Sequence, residues 1–427
     1  MREDFLHFIW KYKKLQVSEL LSSQNETIEI VSVGTHNQLS GPDFFNSQIK
    51  INQQLWAGNV EIHIKSSDWY AHGHETDVNY DNVILHVVWE DDVAIFRSKN
   101  TQIPTLELKK YLSPKLLEAY QLLFDTRKNR FINCENQLTA VDDFVFKNWL
   151  ERLFFERLEQ KSKLVAELLQ KYNNDWEQVF FSLLLKNFGL KINGDSFESL
   201  GANLPFSVVR KIGDNVAQLE AAFFGLVGFL EDIDIADAYY INLKKEYEYL
   251  EHKYKLNKVG VQKPDFFKLR PPNFPTVRLS QLANLYAKNQ NLFSKILEVD
   301  TVEALHLIFN TQASIYWESH FTFGKVSKKS NKKLTKKFIE LLLINTILPI
   351  QFYHAKSINK PIDDRIISMV SNIKKEQNSI IDNYLSLGVK INSAMESQAI
   401  LQLYNRYCSK NNCLQCAVGN HLLKGNT

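Results

Sequence analysis

The hydrophobic period of the chain changes once, near residue 140, and that change restricts the fold more than any single motif does. Before it, short runs rich in β-branched and aromatic residues recur at strand length, over 27–34, 44–51, 59–65, 83–89, 94–97 and 103–108. The breaks between them carry turn chemistry, as in Gly41-Pro42-Asp43 and Ala57-Gly58. A helix is expected ahead of them, over 3–15. From Val141 onward the apolar residues fall at helical spacing: Phe144, Trp149, Leu150, Leu153, Phe154 and Leu158, then Leu164 and Leu168. Fifteen Gly and ten Pro in 427 residues are few breakers, which suits long helices. The expected fold is α+β. Residues 1–139 should form a mixed, mostly antiparallel sheet with flanking helices, and residues 140–427 an all-α domain that ends in a cysteine cluster.

Charge divides along the same line. Residues 1–139 carry a net −4 and the remainder +7, so a polyanion such as DNA or RNA would be drawn to the helical part. The most apolar segments, 221–230 and 339–350, are too short or too interrupted for the ~18 residues of a membrane span. The N-terminus opens Met1-Arg2-Glu3-Asp4 onto an amphipathic segment, unlike a secretory signal. These features predict a cytoplasmic protein without a membrane partner and leave its oligomeric state open.

Polar chemistry concentrates between His36 and His86, where five of the eleven histidines fall with Asp43, Glu61, Lys65, Asp68, Asp77 and Asp81. In the run 59–65 a period of two places Val60, Ile62 and Ile64 on one face and Glu61, His63 and Lys65 on the other. A hairpin with the preceding run can bring Asp43 beside Glu61. Two carboxylates on neighbouring strands suit Mg²⁺ or Mn²⁺, with Lys65 or His63 to orient or deprotonate an attacking water. A solvated polar face accounts for the same alternation without chemistry. His72 and His74, on either side of Gly73, would point the same way on an extended segment and can contact phosphate or chelate Zn²⁺, Mn²⁺ or Fe²⁺. With His63, His86 and Asp68 they make an alternative centre, although His86, in a run apolar on both faces, reads as a hydrogen-bonded core histidine.

The order of a helix, Gly41-Pro42-Asp43-Phe44, Val60-Glu61-Ile62-His63-Ile64-Lys65 and the apolar run 83–89 resembles the PD-(D/E)xK nuclease-like core over about residues 1–110. That resemblance implies Asp43 and Glu61 as ligands of a divalent metal for phosphodiester hydrolysis. The residue two after Glu61 is His63, where the pattern has Lys, and the first Lys is Lys65. The chain as a whole resembles an uncharacterised bacterial family, a domain of unknown function. The shared segments are Gly-Pro-Asp-Phe, Val-Glu-Ile-His, Ser67-Asp68-Trp69, His72-Gly73-His74, Leu85-His86-Val87-Val88 and the C-terminal cysteines.

Those cysteines run Cys408-x4-Cys413-x2-Cys416, and Cys134 is the fourth. Four cysteines are too few for a disulfide framework in a chain this long, and the clustered spacing suits zinc or an iron–sulfur cluster that ties the C-terminus to the first domain. Reduced, packed thiols are the alternative. In the helical part, Arg270 and Arg278 flank a proline-rich loop bearing Phe274, a pattern for phosphate contact and base stacking. Seven lysines between Lys325 and Lys337 add positive potential or a solvated loop. The leading expectation is a metal-dependent, nuclease-like hydrolase acting on phosphodiester bonds of DNA or RNA. A non-catalytic nucleic-acid or protein-binding scaffold and a histidine–metal hydrolase of a small substrate are the alternatives.

Overall fold

The computed structural model describes residues 1–15, 19–125 and 130–424. Helix α1 (Glu3–Lys11) buries Phe5, Leu6, Phe8, Ile9 and Trp10 on one face and starts with Glu3 and Asp4, which suit the positive end of the helix dipole. It stops four residues short of the expected end, and Lys13 is left-handed at φ 49°.

Seven strands follow: β1 (Leu20–Leu21), β2 (Thr27–Ser32), β3 (Thr35–His36), β4 (Phe44–Ile51), β5 (Gln54–Lys65), β6 (Val83–Glu90) and β7 (Thr105–Glu107). They form one sheet in the order β1-β2-β4-β5-β6-β7, with β3 also paired to β4. Pairing is antiparallel from β1 to β5 and parallel for β5–β6 and β6–β7. Asn52 and Gln53, at φ 48° and 70°, make the two-residue turn that joins β4 to β5. This tight turn lengthens β5 beyond the expected run. At the other end of the hairpin a bulge between Phe44 and Ser47, with Asn46 at φ 56°, resets the register so that Phe44 faces Val60. The crossover from β5 to β6 contains the short helix α2 (Asp68–Ala71), and Trp69 anchors it in a buried cluster with Tyr80, Val83, Ile95 and Ile103. The expected strand over 94–97 is reduced to one bridge, Phe96 to Gln102.

Past the sheet come helix α3 (Pro114–Leu123) and the 29-residue helix α4 (Asp143–Lys171). The chain divides into two compact units, the first comprising Met1–Leu150, Asp382–Lys390 and Leu403–Thr427 and the second Glu151–Ile381 and Ile391–Gln402. This differs from a single cut after residue 139. The change of period marks where helices begin, whereas the last helix, Ala417–Lys424, packs on α3 within the first unit. The second unit is helical apart from a small hairpin, His320–Thr322 with Lys325–Val326, whose second strand opens the lysine-rich segment expected as a loop. Its helical run Lys336–Ser357 is long and apolar enough to cross a membrane by composition, and 72% of its most apolar window is buried inside the protein.

Candidate metal centre

The alternation in β5 holds only in part: Val60 and Ile62 are buried, and so are Glu61 and His63 on the opposite face. That second face is covered by α1 and α2. Glu61 and Asp43 meet as the hairpin reading required, each carboxylate taking an amide of the other's strand. The Asp43 N–H donates to Glu61 Oε2 at 3.1 Å, and the Ile62 N–H donates to Asp43 Oδ2 at 2.9 Å. The β4 bulge makes this exchange possible.

His72 and His74 reach the same place by a different route from the extended segment expected. His72 ends α2, Gly73 is left-handed at φ 71°, the Gly73 N–H donates to the Tyr70 carbonyl and the His74 N–H to the Trp69 carbonyl. This paired pattern is a Schellman cap, which calls for glycine at the left-handed position. The His-Gly-His triplet is thus a helix terminator that turns both imidazoles toward His63. His63 Nε2 lies 3.1 Å from His72 Nδ1 and 3.4 Å from Glu61 Oε1, and His74 Nε2 lies 3.3 Å from the same Glu61 oxygen. One ligand atom from each of His63, His72 and His74 falls within 4.8 Å of the others. Donors about 2.05 Å from a tetrahedral ion stand about 3.3 Å apart; the His63–His72, His63–Glu61 and His74–Glu61 separations approach such edges, and the three imidazoles are the set that closes within 4.8 Å.

The surroundings fit a cation. His63 Nδ1 is 2.9 Å from His86 Nε2, the kind of outer contact that fixes a ligating imidazole with its other nitrogen bare. His86 is fully buried and its Nδ1 has no partner, so its hydrogen bond to His63 is its sole polar contact. Burial pushes His63 down to about 3, with His72 and His74 adding to the effect, so its approach to Glu61 is not an ion pair. Burial and the neighbouring Asp43 push Glu61 up to about 9. Without a cation the cluster therefore holds a neutral acid and a neutral imidazole. His72 is exposed while His63 is buried, which leaves one side open to solvent, as catalytic sites require and closed structural sites do not.

A second group, Glu3, His7 and Asp43, adjoins the first. His7 Nε2 lies 3.3 Å from Asp43 Oδ2 and 3.6 Å from Glu3 Oε1. Burial opposes a proton on His7, but contact with Asp43 and the charges of Asp43 and Glu3 outweigh it, and its pKa is raised. The sequence reading missed Glu3 and His7. Their spacing of four on one helix face was the available signal, but it lies far along the chain from the strand motifs.

Other expected residues stand apart. Lys65 is exposed and its Nζ is 4.0 Å from Asp92 Oδ2; it sits where β5 leaves the covered region. Asp68 accepts the Lys65 N–H at 2.9 Å and serves the start of α2. In the second unit Arg270 is exposed, but Arg278 is buried, lies 3.6 Å over the Phe338 ring, and donates to Gln281 Oε1 and Asn273 Oδ1. Burial lowers its pKa to about 10. The pairing of Arg270 and Arg278 on phosphate is therefore corrected, since helical spacing put Arg278 on the inner face of Pro275–Lys288. Phe274 likewise packs on Phe266 and Phe321. Arg278→Leu is expected to lower stability by about 2–3 kcal/mol, because Asn273 and Gln281 lose their donor. A urea midpoint unchanged in that variant would contradict this structural assignment.

The four cysteines come together in the first unit, all lining one small cavity with Leu123, Asn133, Tyr407 and Gly419. They are free thiols.

Residues 3–379 match the family described as "Protein of unknown function (DUF2851)", and the chain belongs to that family. No curated protein and no solved structure matches it.

Proposed function

We propose that this DUF2851 member is a metal-dependent hydrolase whose ion is held by His63, His72, His74 and Glu61. The observation that supports this reading best is the convergence of ligand atoms of His63, His72 and His74 within 4.8 Å, with Glu61 Oε1 3.4 Å from His63 Nε2 and 3.3 Å from His74 Nε2. Bound there, a divalent transition metal supplies Lewis acidity and a nucleophilic water near neutral pH. His86 orients His63, Trp69 and Tyr80 pack on the ring of His74, and His7, whose pKa is raised by Asp43 and Glu3 against its burial, would donate a proton to the leaving group. Phosphodiesters of nucleic acid are the first substrate class proposed, because Asp43 and Glu61 stand together as in the nuclease-like pattern; small phosphorylated esters are the second. Lys65 has no role in this mechanism.

The test is hydrolysis of single- and double-stranded DNA, RNA and a small phosphoester with Zn²⁺, Mn²⁺ or Mg²⁺, comparing the intact chain with Glu61→Gln. Metal-dependent turnover lost in the variant is expected. Stoichiometric metal binding without turnover on any substrate would make the centre structural and sink the proposal.

A pH dependence follows. Glu61 holds its proton in the metal-free fold up to about 9, against 4.5 as the ordinary value. Its contribution to metal-free stability is therefore full below 4.5 and is lost as pH rises toward 9. Metal binding must expel that proton, so affinity should rise with pH across the same window, with release of about one proton at pH 7. Calorimetry in buffers of different ionisation enthalpy reads this release. Unchanged proton release in Glu61→Gln would refute the assignment to Glu61.

A further inference from the structure

We propose that Cys134, Cys408, Cys413 and Cys416 ligate an iron–sulfur cluster, separate from the histidine centre. Convergence is the first argument. Cys134 precedes the helical region and the other three lie at the far end of the sequence, yet all four face one cavity. The C-terminal ligands are set by compact local structure: single 3-10 turns at Cys408–Lys410 and Cys413–Gln415, Asn411 in the left-handed region between them, and then the helix Ala417–Lys424. Gly419 is required by this packing, because a Cβ there would meet the Cys413 carbonyl oxygen at 2.1 Å.

Directed polar groups are the second argument, independent of the cavity. The Asn133 side-chain amide donates to Cys413 Sγ at 3.4 Å, and the Tyr384 hydroxyl lies 3.2 Å from Cys408 Sγ. A thiol is a weak acceptor, whereas a ligating thiolate gains from such donors, and hydrogen bonds to sulfur are a main control of cluster potential.

Spacing selects the occupant. Four sulfurs about 2.3 Å from one zinc ion stand about 3.8 Å apart. Among the described residues the groups drawn within 4.8 Å are the two histidine- and carboxylate-bearing ones, and the sulfurs are not among them. A cubane, in which each thiolate takes a different iron, holds its sulfurs further apart than one ion does.

The test is anaerobic purification of the full chain, followed by reconstitution with iron and sulfide. The expected result is a brown protein with broad visible charge-transfer absorption and about four iron and four sulfide per chain. Cys408→Ser, at the most accessible of the four positions, should lower iron content several-fold while far-ultraviolet circular dichroism is kept. His72→Ala should retain the iron, so failure of the histidine centre and failure of this site can be told apart. One zinc per chain, lost in Cys408→Ser, would overturn the cluster; a colourless, metal-free protein after reconstitution would overturn the site.

Discussion

Replacing His72 by alanine is expected to weaken binding of Zn²⁺ or Mn²⁺ by at least about 100-fold, since even the outer contacts of a metal site are worth 10–100-fold. Metal-dependent turnover should disappear with it. Of the four proposed ligands His72 is the exposed one, lying on the surface at the end of α2, so its truncation opens no cavity. The unfolding free energy of the metal-free protein should therefore change by less than about 0.5 kcal/mol. Saturating metal should stabilise the intact chain by about 4 kcal/mol at a thousand times Kd, and the variant far less. Competition against a chromophoric chelator measures the first effect and denaturation with and without metal the second. A variant that binds as tightly as the parent would remove His72 from the site and break the shell on which the proposed reaction depends.

Trp69→Ala carries the largest expected loss of stability, about 3–5 kcal/mol. Its side chain is fully buried, its indole N–H donates to the Phe96 carbonyl at 3.2 Å, and its ring packs against Tyr80, His74 and His86. The alanine variant leaves a cavity and an unpaired carbonyl directly behind two of the imidazoles. Metal affinity should fall although no ligand is touched, and Trp69→Phe should recover most of the packing without the hydrogen bond. An unfolding free energy from urea titration within about 1 kcal/mol of the parent for Trp69→Ala would refute the anchoring role.

The parts of the first unit that were legible beforehand are those where local pattern and tertiary demand agree. Strand β4 occupies the expected 44–51, and the two-residue turn after it extends β5 by pairing alone. Asp43 and Glu61 could be placed together because a hairpin has few registers. The histidine triplet was legible as chemistry but not as geometry, since a helix cap, rather than an extended strand, aligns its rings. Lys65 was misplaced because the period of two says which face a residue takes and nothing about where the covering helices stop. His7 was missed because its contact with Asp43 joins residues 36 apart in the chain, for which no local pattern exists. Residues 94–97 have strand composition yet make one bridge, and the hairpin at 320–326 has the Phe, Thr and Val of a strand pair in a run too short to stand out from the helical pattern around it. Burial of Arg278 over an aromatic ring likewise follows from the neighbours of its helix, not from its own segment.

The return of Asp382–Lys390 and Leu403–Thr427 to the first compact unit has a consequence for the order of events during synthesis. At 5–20 residues per second, about 15–60 seconds separate emergence of Leu150 from emergence of the last residues of this chain. Throughout that interval the sheet waits without Cys408, Cys413 and Cys416, while the long inserted segment is free to fold first. Nascent chains halted before residue 403 would therefore carry a complete histidine cluster beside an unfinished thiol cavity, exposing the face of α3 that the final helix covers. The window for chaperone capture of that unfinished face is written into the chain's connectivity rather than into either site.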